Sequence, residues 1–569
     1  MVDVVVTRPS TPPIVTPRID RDALILRAGI VLLVVWLFVT LALPLWTLLS
    51  KSFQGVDGHF VGLANYIRYF STPALFHSIF NSLSVAAVAV VIVIPLAFIY
   101  AFALTRSQIK FKGLFYAAAL LPVFAPSLLS AISLIYLFGN QGILKGLLLG
   151  NSIYGPLGII IAQVYYCFPP ALIILVNALS LADARLYEVA EALGTKRSRI
   201  FWTVTLPGVK FGLINACFVV FTVVVTDFGI AKVIGGQFNV LATDAYKQVI
   251  GQQNFSMGAV VGLILLVPAV LAFAIDSIVQ RRQVALLSAR AVPLDPKASR
   301  ARDMALTVYV CVLAALIIGI LGVAIWASFI TYWPYNLSLT LRNYSFGTFD
   351  ADGWQPYFNS VKMAALASVI GTAVVFTGAY LIAKTKVAPG GRAIAHLLAM
   401  LPMAVPGLVL GLAYVFFFNA PWNPLNILYG TLLVLVLNSI AHYYTVAHIT
   451  ALTALKQIDS EFESVSASLK VPVWRTFWRV TVPICLPAIL DIAIYLFVGA
   501  LTTVSAVIFL YGPGTKLASV AIVHMDEAGV MAGAAAMATL IVITALSAKL
   551  FHVLLDRLLL IRLQAWRKR

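Results

Sequence analysis

The amino-acid sequence predicts an all-α integral membrane protein of about twelve transmembrane helices, arranged as two parallel six-helix repeats. Three observations predict it. First, 61% of the 569 residues are hydrophobic and only 11% are charged, against roughly 25% charged in a soluble domain; mean hydropathy is +0.98. Second, apolar runs long enough to cross the hydrocarbon core, about 20 residues, recur along the whole chain. Third, a polar segment set among them occurs twice. Tyr187 to Pro207, YEVAEALGTKRSRIFWTVTLP, returns 276 positions later as Glu463 to Pro483, ESVSASLKVPVWRTFWRVTVP.

Taken in order, residues 1–22 are rich in Pro and Thr and lack the basic, apolar and cleavage regions of a signal peptide. They are expected to form a disordered cytoplasmic tail. The first half, 23–280, holds expected spans at 24–49, 77–104, 113–139, 153–180, 207–232 and 255–280. A cytoplasmic linker, 281–303, carries Arg, Pro and Ser. The second half, 304–569, repeats the spans near 304–330, 357–383, 393–418, 427–453, 484–510 and 528–555. Prolines inside them are tolerated where neighbouring helices satisfy the freed backbone groups.

Orientation follows from the cations. With the N-terminus inside, 29 of the 39 Lys and Arg residues fall on cytoplasmic segments, eight lie near the outer face, and Lys210 and Lys549 lie within spans. By the positive-inside rule this puts both termini of a multi-pass protein in the cytoplasm. The formal charge of +18 is therefore topological. A nucleic-acid surface would need these residues gathered on a water-exposed domain. Cys167, Cys217, Cys311 and Cys485 sit inside apolar segments without metal-type spacing, so no zinc site or disulfide framework is indicated.

The halves also match outside the polar segments. Asn81-Ser82 and Asn359-Ser360 open the second spans, LLPVFAPSLL (120–129) and MLPMAVPGLV (400–409) open the third, and Tyr154-Gly155 and Tyr429-Gly430 open the fourth. Six spans is an even number, so the repeats share one orientation about an axis along the membrane normal. A substrate route is expected between them.

Within the first polar segment, Asp183 can cap a helix in which Leu186, Val189, Ala190 and Leu193 recur at helical spacing. Gly194 permits the turn that ends it. A second short helix, basic through Lys196, Arg197 and Arg199, should run until Pro207 starts the fifth span. The unit is expected to lie on the cytoplasmic surface as a helix-turn-helix.

Glu188-x-Ala190, then Gly194, then Val204-x-Leu206-Pro207 resembles the EAA loop of permease subunits of binding-protein-dependent ABC importers, placed as in that family between the fourth and fifth spans. The resemblance implies a coupling helix that docks on an ATPase subunit, with Glu188, Ala190, Glu191, Gly194 and Pro207 as coupling residues. In the second copy Ser464 stands in place of Glu and Lys470 in place of Gly, while Pro483 closes in register and Glu461 and Glu463 supply charge nearby. An unequal pair of loops is therefore expected. The stretches 226–262 and 279–296 resemble the fused two-half permeases for phosphonates, the 2-aminoethylphosphonate branch in particular; ferric iron permeases share the fused plan.

Polar groups inside spans are the candidate path residues: Gln163 and Asn438 at equivalent positions of the two fourth spans, His442 one turn on where the first half has Cys167, and Asp227. Lys232, about a turn beyond Asp227, suggests a local salt bridge at the outer interface. No G-x-x-x-x-G-K-[ST] phosphate loop is present, and no nucleophile or metal set is clustered, so the chain is not expected to be an enzyme or to hold a cofactor. ATP and magnesium are expected on two copies of a separate ATPase subunit, and substrate on an extracytoplasmic binding protein. Twelve spans in two halves also describe secondary transporters. Such carriers should show a charged signature after the second span, where RSQIKFKG is merely basic, and a buried acid at the midplane.

Overall fold

The computed structural model describes residues 21–181, 183–286, 294, 296, 298–459 and 461–563. The expected tail before residue 21, and 287–293 of the expected linker, lie outside the described residues; the sixth and seventh spans close the linker in from either side at Leu286 and Arg300. Mid-span side chains such as Leu32 (71% exposed), Val91 (72%) and Val369 (72%) face outward. Outward apolar side chains on helices whose backbone bonds are all internal are what lipid requires.

Among the described residues nine helices are long and apolar enough to span, and three bent pairs bring the total to twelve when each pair counts as one span. The bent pairs are a departure from the continuous spans expected. Each third span is broken: Lys112–Phe124 meets Ser127–Phe138 at 99°, and Pro389–Ala404 meets Gly407–Phe418 at 116°. The repeated Pro-x-x-x-Pro explains both breaks. Pro126 and Pro406 push the preceding Ala125 and Val405 into extended conformation, because the proline ring disfavours a helical predecessor. In the second half the fifth span also bends, by 77°, between Val473–Ile484 and Leu486–Thr502.

The fifth spans begin earlier than expected. In the first half, helix runs from Arg197 to Thr226 without stopping at Pro207. The passage is a π-turn over Phe201–Thr205, whose wider register makes room for a ring that would meet the carbonyl four residues back. Phe477–Thr481 repeats the device before Pro483. Beyond the fifth spans lie short helices, Gly229–Ile234, Leu241–Tyr246 and Ala518–Glu527, and the loop between the first and second spans of the second half adds a hairpin of β1 (Ile330–Tyr332) and β2 (Asn336–Leu339).

The two halves exchange their first spans. Arg21–Ser52 packs on the second half: a Cβ at Gly378 would sit 3.0 Å from Leu33, one at Gly29 3.2 Å from Leu381, and the Trp36 and Tyr444 rings are 5.6 Å apart. Reciprocally, Tyr309 on Arg300–Ser328 donates its hydroxyl to Leu96 O in the first half at 2.8 Å. Close approach uses small residues, the general device of helix packing in lipid; a Cβ on Gly212 would lie 2.3 Å from that of Ala178.

Candidate functional site

The first polar loop forms as its residues dictate. Asp183 caps helix Ala184–Ala192 by accepting from Arg185 N at 3.1 Å. At its far end Gly194 adopts φ +68° and the turn is closed by Thr195 N donating to Ala190 O at 3.0 Å. One stripe faces inward, with Ala184 buried and Tyr187 donating to Thr205 Oγ1 at 3.0 Å. The opposite stripe is exposed and apolar: Leu186, Val189 and Leu193 are 59, 60 and 77% exposed. Glu188 and Glu191 are exposed beside it.

The second loop repeats this shape with other residues. Helix Glu461–Ser468 ends in the same turn, Val471 N donating to Ser466 O at 2.9 Å, and Lys470 takes the left-handed conformation itself at φ +53°. The missing glycine therefore changes the strain of the turn rather than its form. Where the first loop has Ala190 and Ile200, the second has Ser466 and Thr476, whose hydroxyls hydrogen-bond to each other. Phe462, Val465 and Leu469, each 276 positions after Leu186, Val189 and Leu193, are exposed at 48, 56 and 71%. Ser464, the counterpart of Glu188, is also exposed. Glu463 is not on this outer stripe: its carboxylate lies 3.2 Å from Lys384 Nζ.

Each loop is also touched by the first span of the opposite half. Asp22 accepts from Val473 N at 3.0 Å, at the start of the second loop's basic helix, and Arg197, at the start of the first loop's, donates to Ser299 Oγ at 3.4 Å. Asp22 and Ser299 both stand at the entry to a first span, 277 positions apart.

The interior candidates separate into two kinds. Gln163 and Asn438, 1 and 0% exposed, tie each fourth span to the segment beyond the fifth: Gln163 Nε2 donates to Asp227 Oδ2 at 3.0 Å and Asn438 Nδ2 to Ala506 O at 2.7 Å. Asp227 and His442 are half-buried. Asp227 also accepts from Ile230 N at 2.9 Å and so fixes the first short helix beyond the fifth span. His442 fits because Gly407 leaves room; a Cβ there would lie 3.1 Å from its Cε1. The expected Asp227–Lys232 salt bridge does not form. Lys232 Nζ instead reaches Glu527 of the second half at 2.6 Å and lies 4.8 Å from the Tyr246 ring centroid. A helical turn past Thr226 would have aligned the pair, but the chain leaves helical geometry at Asp227. No cluster of three or more His, Cys, Asp or Glu suited to a metal occurs among the described residues.

Comparison with known proteins places this geometry. The chain is 26% identical over 511 residues to the ferric transport system permease protein FbpB of Actinobacillus pleuropneumoniae, covering 87% of this chain and 73% of that protein. It is 26% identical over 242 residues to the spermidine/putrescine transport system permease protein PotB of Haemophilus influenzae, covering 40% of this chain and 84% of that one. The family model described as "Binding-protein-dependent transport system inner membrane component" matches twice, over residues 93–284 and 376–560, each match enclosing one of the two loops. The chain belongs to this family, as an ABC importer permease with its two halves fused in one polypeptide.

Proposed function

We propose that the two loop helices are the docking points for two ATPase subunits, that a binding protein delivers a small solute to the outer face, and that the solute passes between the halves. One observation carries the docking assignment. Two apolar triplets, Leu186/Val189/Leu193 and Phe462/Val465/Leu469, stand in identical register on the two polar loops and are more than 45% exposed at every position. Exposed apolar stripes rimmed by charge mark partner surfaces, and a helix presenting positions i, i+3 and i+7 fits a groove. The charge distribution supports a cytoplasmic location for both loops and both termini. Capture of the partner ATPase subunit tests the assignment. Replacing either triplet with Ser should weaken capture at least tenfold, and undiminished capture by the double-triplet variant would refute it.

For the substrate we propose a phosphonate such as 2-aminoethylphosphonate, a reading supported by the sequence character of 226–262 and 279–296. A second reading, ferric iron, is favoured by the name of the FbpB relative, which aligns over 87% of this chain. Specificity in such importers rests largely on the binding protein, so titrating that partner with 2-aminoethylphosphonate and with ferric iron separates the two. Gln163, Asp227, Asn438 and His442 are proposed to border the route. Uptake left unchanged by Ala at both Gln163 and Asn438, at normal protein levels, would remove those two from it.

A further inference from the structure

We infer that Arg106 and Lys384 are equivalent positioning residues, each locking the coupling helix of its half to the cytoplasmic ends of that half's second and fourth spans; the inference rests on the importer reading above. Arg106 is the last residue of the second span and is 6% exposed. Its Nη2 donates to Leu179 O, in the last turn of the fourth span, at 2.6 Å. Its guanidinium carbon lies 5.5 Å from the ring centroid of Tyr187, in the first turn of the loop helix. Lys384, 278 positions later, directly follows the second span of its half. Its Nζ donates to Ile458 O, just past the fourth span, at 2.8 Å, and lies 3.2 Å from Glu463 Oε1. Glu463 is the counterpart of Tyr187 at 276 positions.

Both partners differ between the halves, yet the junction is the same. A planar guanidinium matches the face of an aromatic ring, and a compact ammonium matches a carboxylate. The pairs Arg–Tyr and Lys–Glu are thus two chemical solutions to one mechanical requirement. Each cation also neutralises carbonyls that a helix end leaves without internal partners. A loop helix joined to the fourth span by a few link residues alone could swing on that link. A cation that grips the helix, the fourth span and the second span fixes its angle, so a displacement of the helix reaches both spans together.

The test uses the whole complex of this chain, its ATPase subunits and its binding protein in proteoliposomes. Spin labels at Leu147 and Ile427, on equivalent outer loops, report the ATP-driven change in distance across the outer face. Arg106→Ala or Lys384→Ala should leave ATP hydrolysis running while the fraction of complexes showing the distance change falls roughly fivefold or more, the scale of a coupling free energy of 1–3 kcal/mol. Glu463→Ala should do the same. The graft Lys384→Arg with Glu463→Tyr, which rebuilds the first half's pair in the second, should restore the distance change. An unchanged distance response in both alanine variants at equal hydrolysis would overturn the inference, as would a graft that accumulates normally but behaves like Glu463→Ala. Should the alanine variants fail to accumulate, the graft alone decides. Failure of the wild-type chain to bind any ATPase is a different result, and overturns the importer reading itself.

Discussion

At the scale of single residues, Lys470 shows how a lost motif position is carried by conformational strain. A non-glycine residue in the left-handed region costs about 1–2 kcal/mol, and Lys470 sits there at φ +53°. Lys470→Gly should therefore stabilise the second loop by about 1 kcal/mol, read as slower amide exchange over 461–471 with transport retained. Asp350 gives a pH dependence. Burial alone would raise its pKa, but the 2.6 Å contact with Lys516 Nζ and the bond from Asp352 N hold the carboxyl below its ordinary value. A depressed carboxylate stabilises above its unfolded pKa, and that stabilisation is lost as pH falls through the folded one. Thermal stability of the purified protein should thus drop on acidification below the ordinary carboxylate range. Asp350→Asn should flatten that drop while lowering stability at neutral pH.

Among the elements, the two polar loops were the most legible part of the sequence, because capping, helical spacing and a left-handed turn are local and each leaves a residue signature. Asp183, the Leu186/Val189/Leu193 stripe and Gly194 all take the geometry their chemistry implies. The spans were legible in number but not in shape. Pro126 and Pro406 set the breaks of the third spans, but hydropathy counts apolar residues without asking whether their axis is straight. Pro207 was misleading for the opposite reason, since a π-turn absorbs it. The pairings of Lys232 with Glu527 and of Lys384 with Glu463 join distant segments, so no local pattern could reveal them. The shared turn of the two loops also reshapes the expected inequality between them. Proline cannot adopt φ +68°, its ring holding φ near −65°, so Glu188→Ala with Gly194→Pro should cut ATP-driven transport roughly tenfold or more. Ser464→Ala with Lys470→Gly should cost little. Equal losses at equal expression would show that the second loop depends on Ser464 and Lys470 as fully as the first depends on its motif.

For the whole molecule, the exchange of first spans makes the halves interdependent in a way that two side-by-side bundles would not be. Leu33 fills the space left by Gly378, Trp36 lies against Tyr444, and Tyr309 bonds across to Leu96, so each first span contributes to the core of the opposite half. Helix association within lipid depends on such packing, because apolar burial supplies no drive between helices already surrounded by hydrocarbon. The covalent link between the sixth and seventh spans should then be dispensable, while each first span should not. Separate chains 1–290 and 291–569, expressed together, are expected to copurify through a tag on either one and to capture the ATPase. Shortening the first chain to 53–290 removes the span that holds Leu33 and Trp36, and with it the Asp22 contact to Val473 at the second polar loop. Copurification should fall at least tenfold. Retention of full assembly by the shortened chain would mean that the central spans alone hold the halves together and that the exchanged spans serve the loops instead.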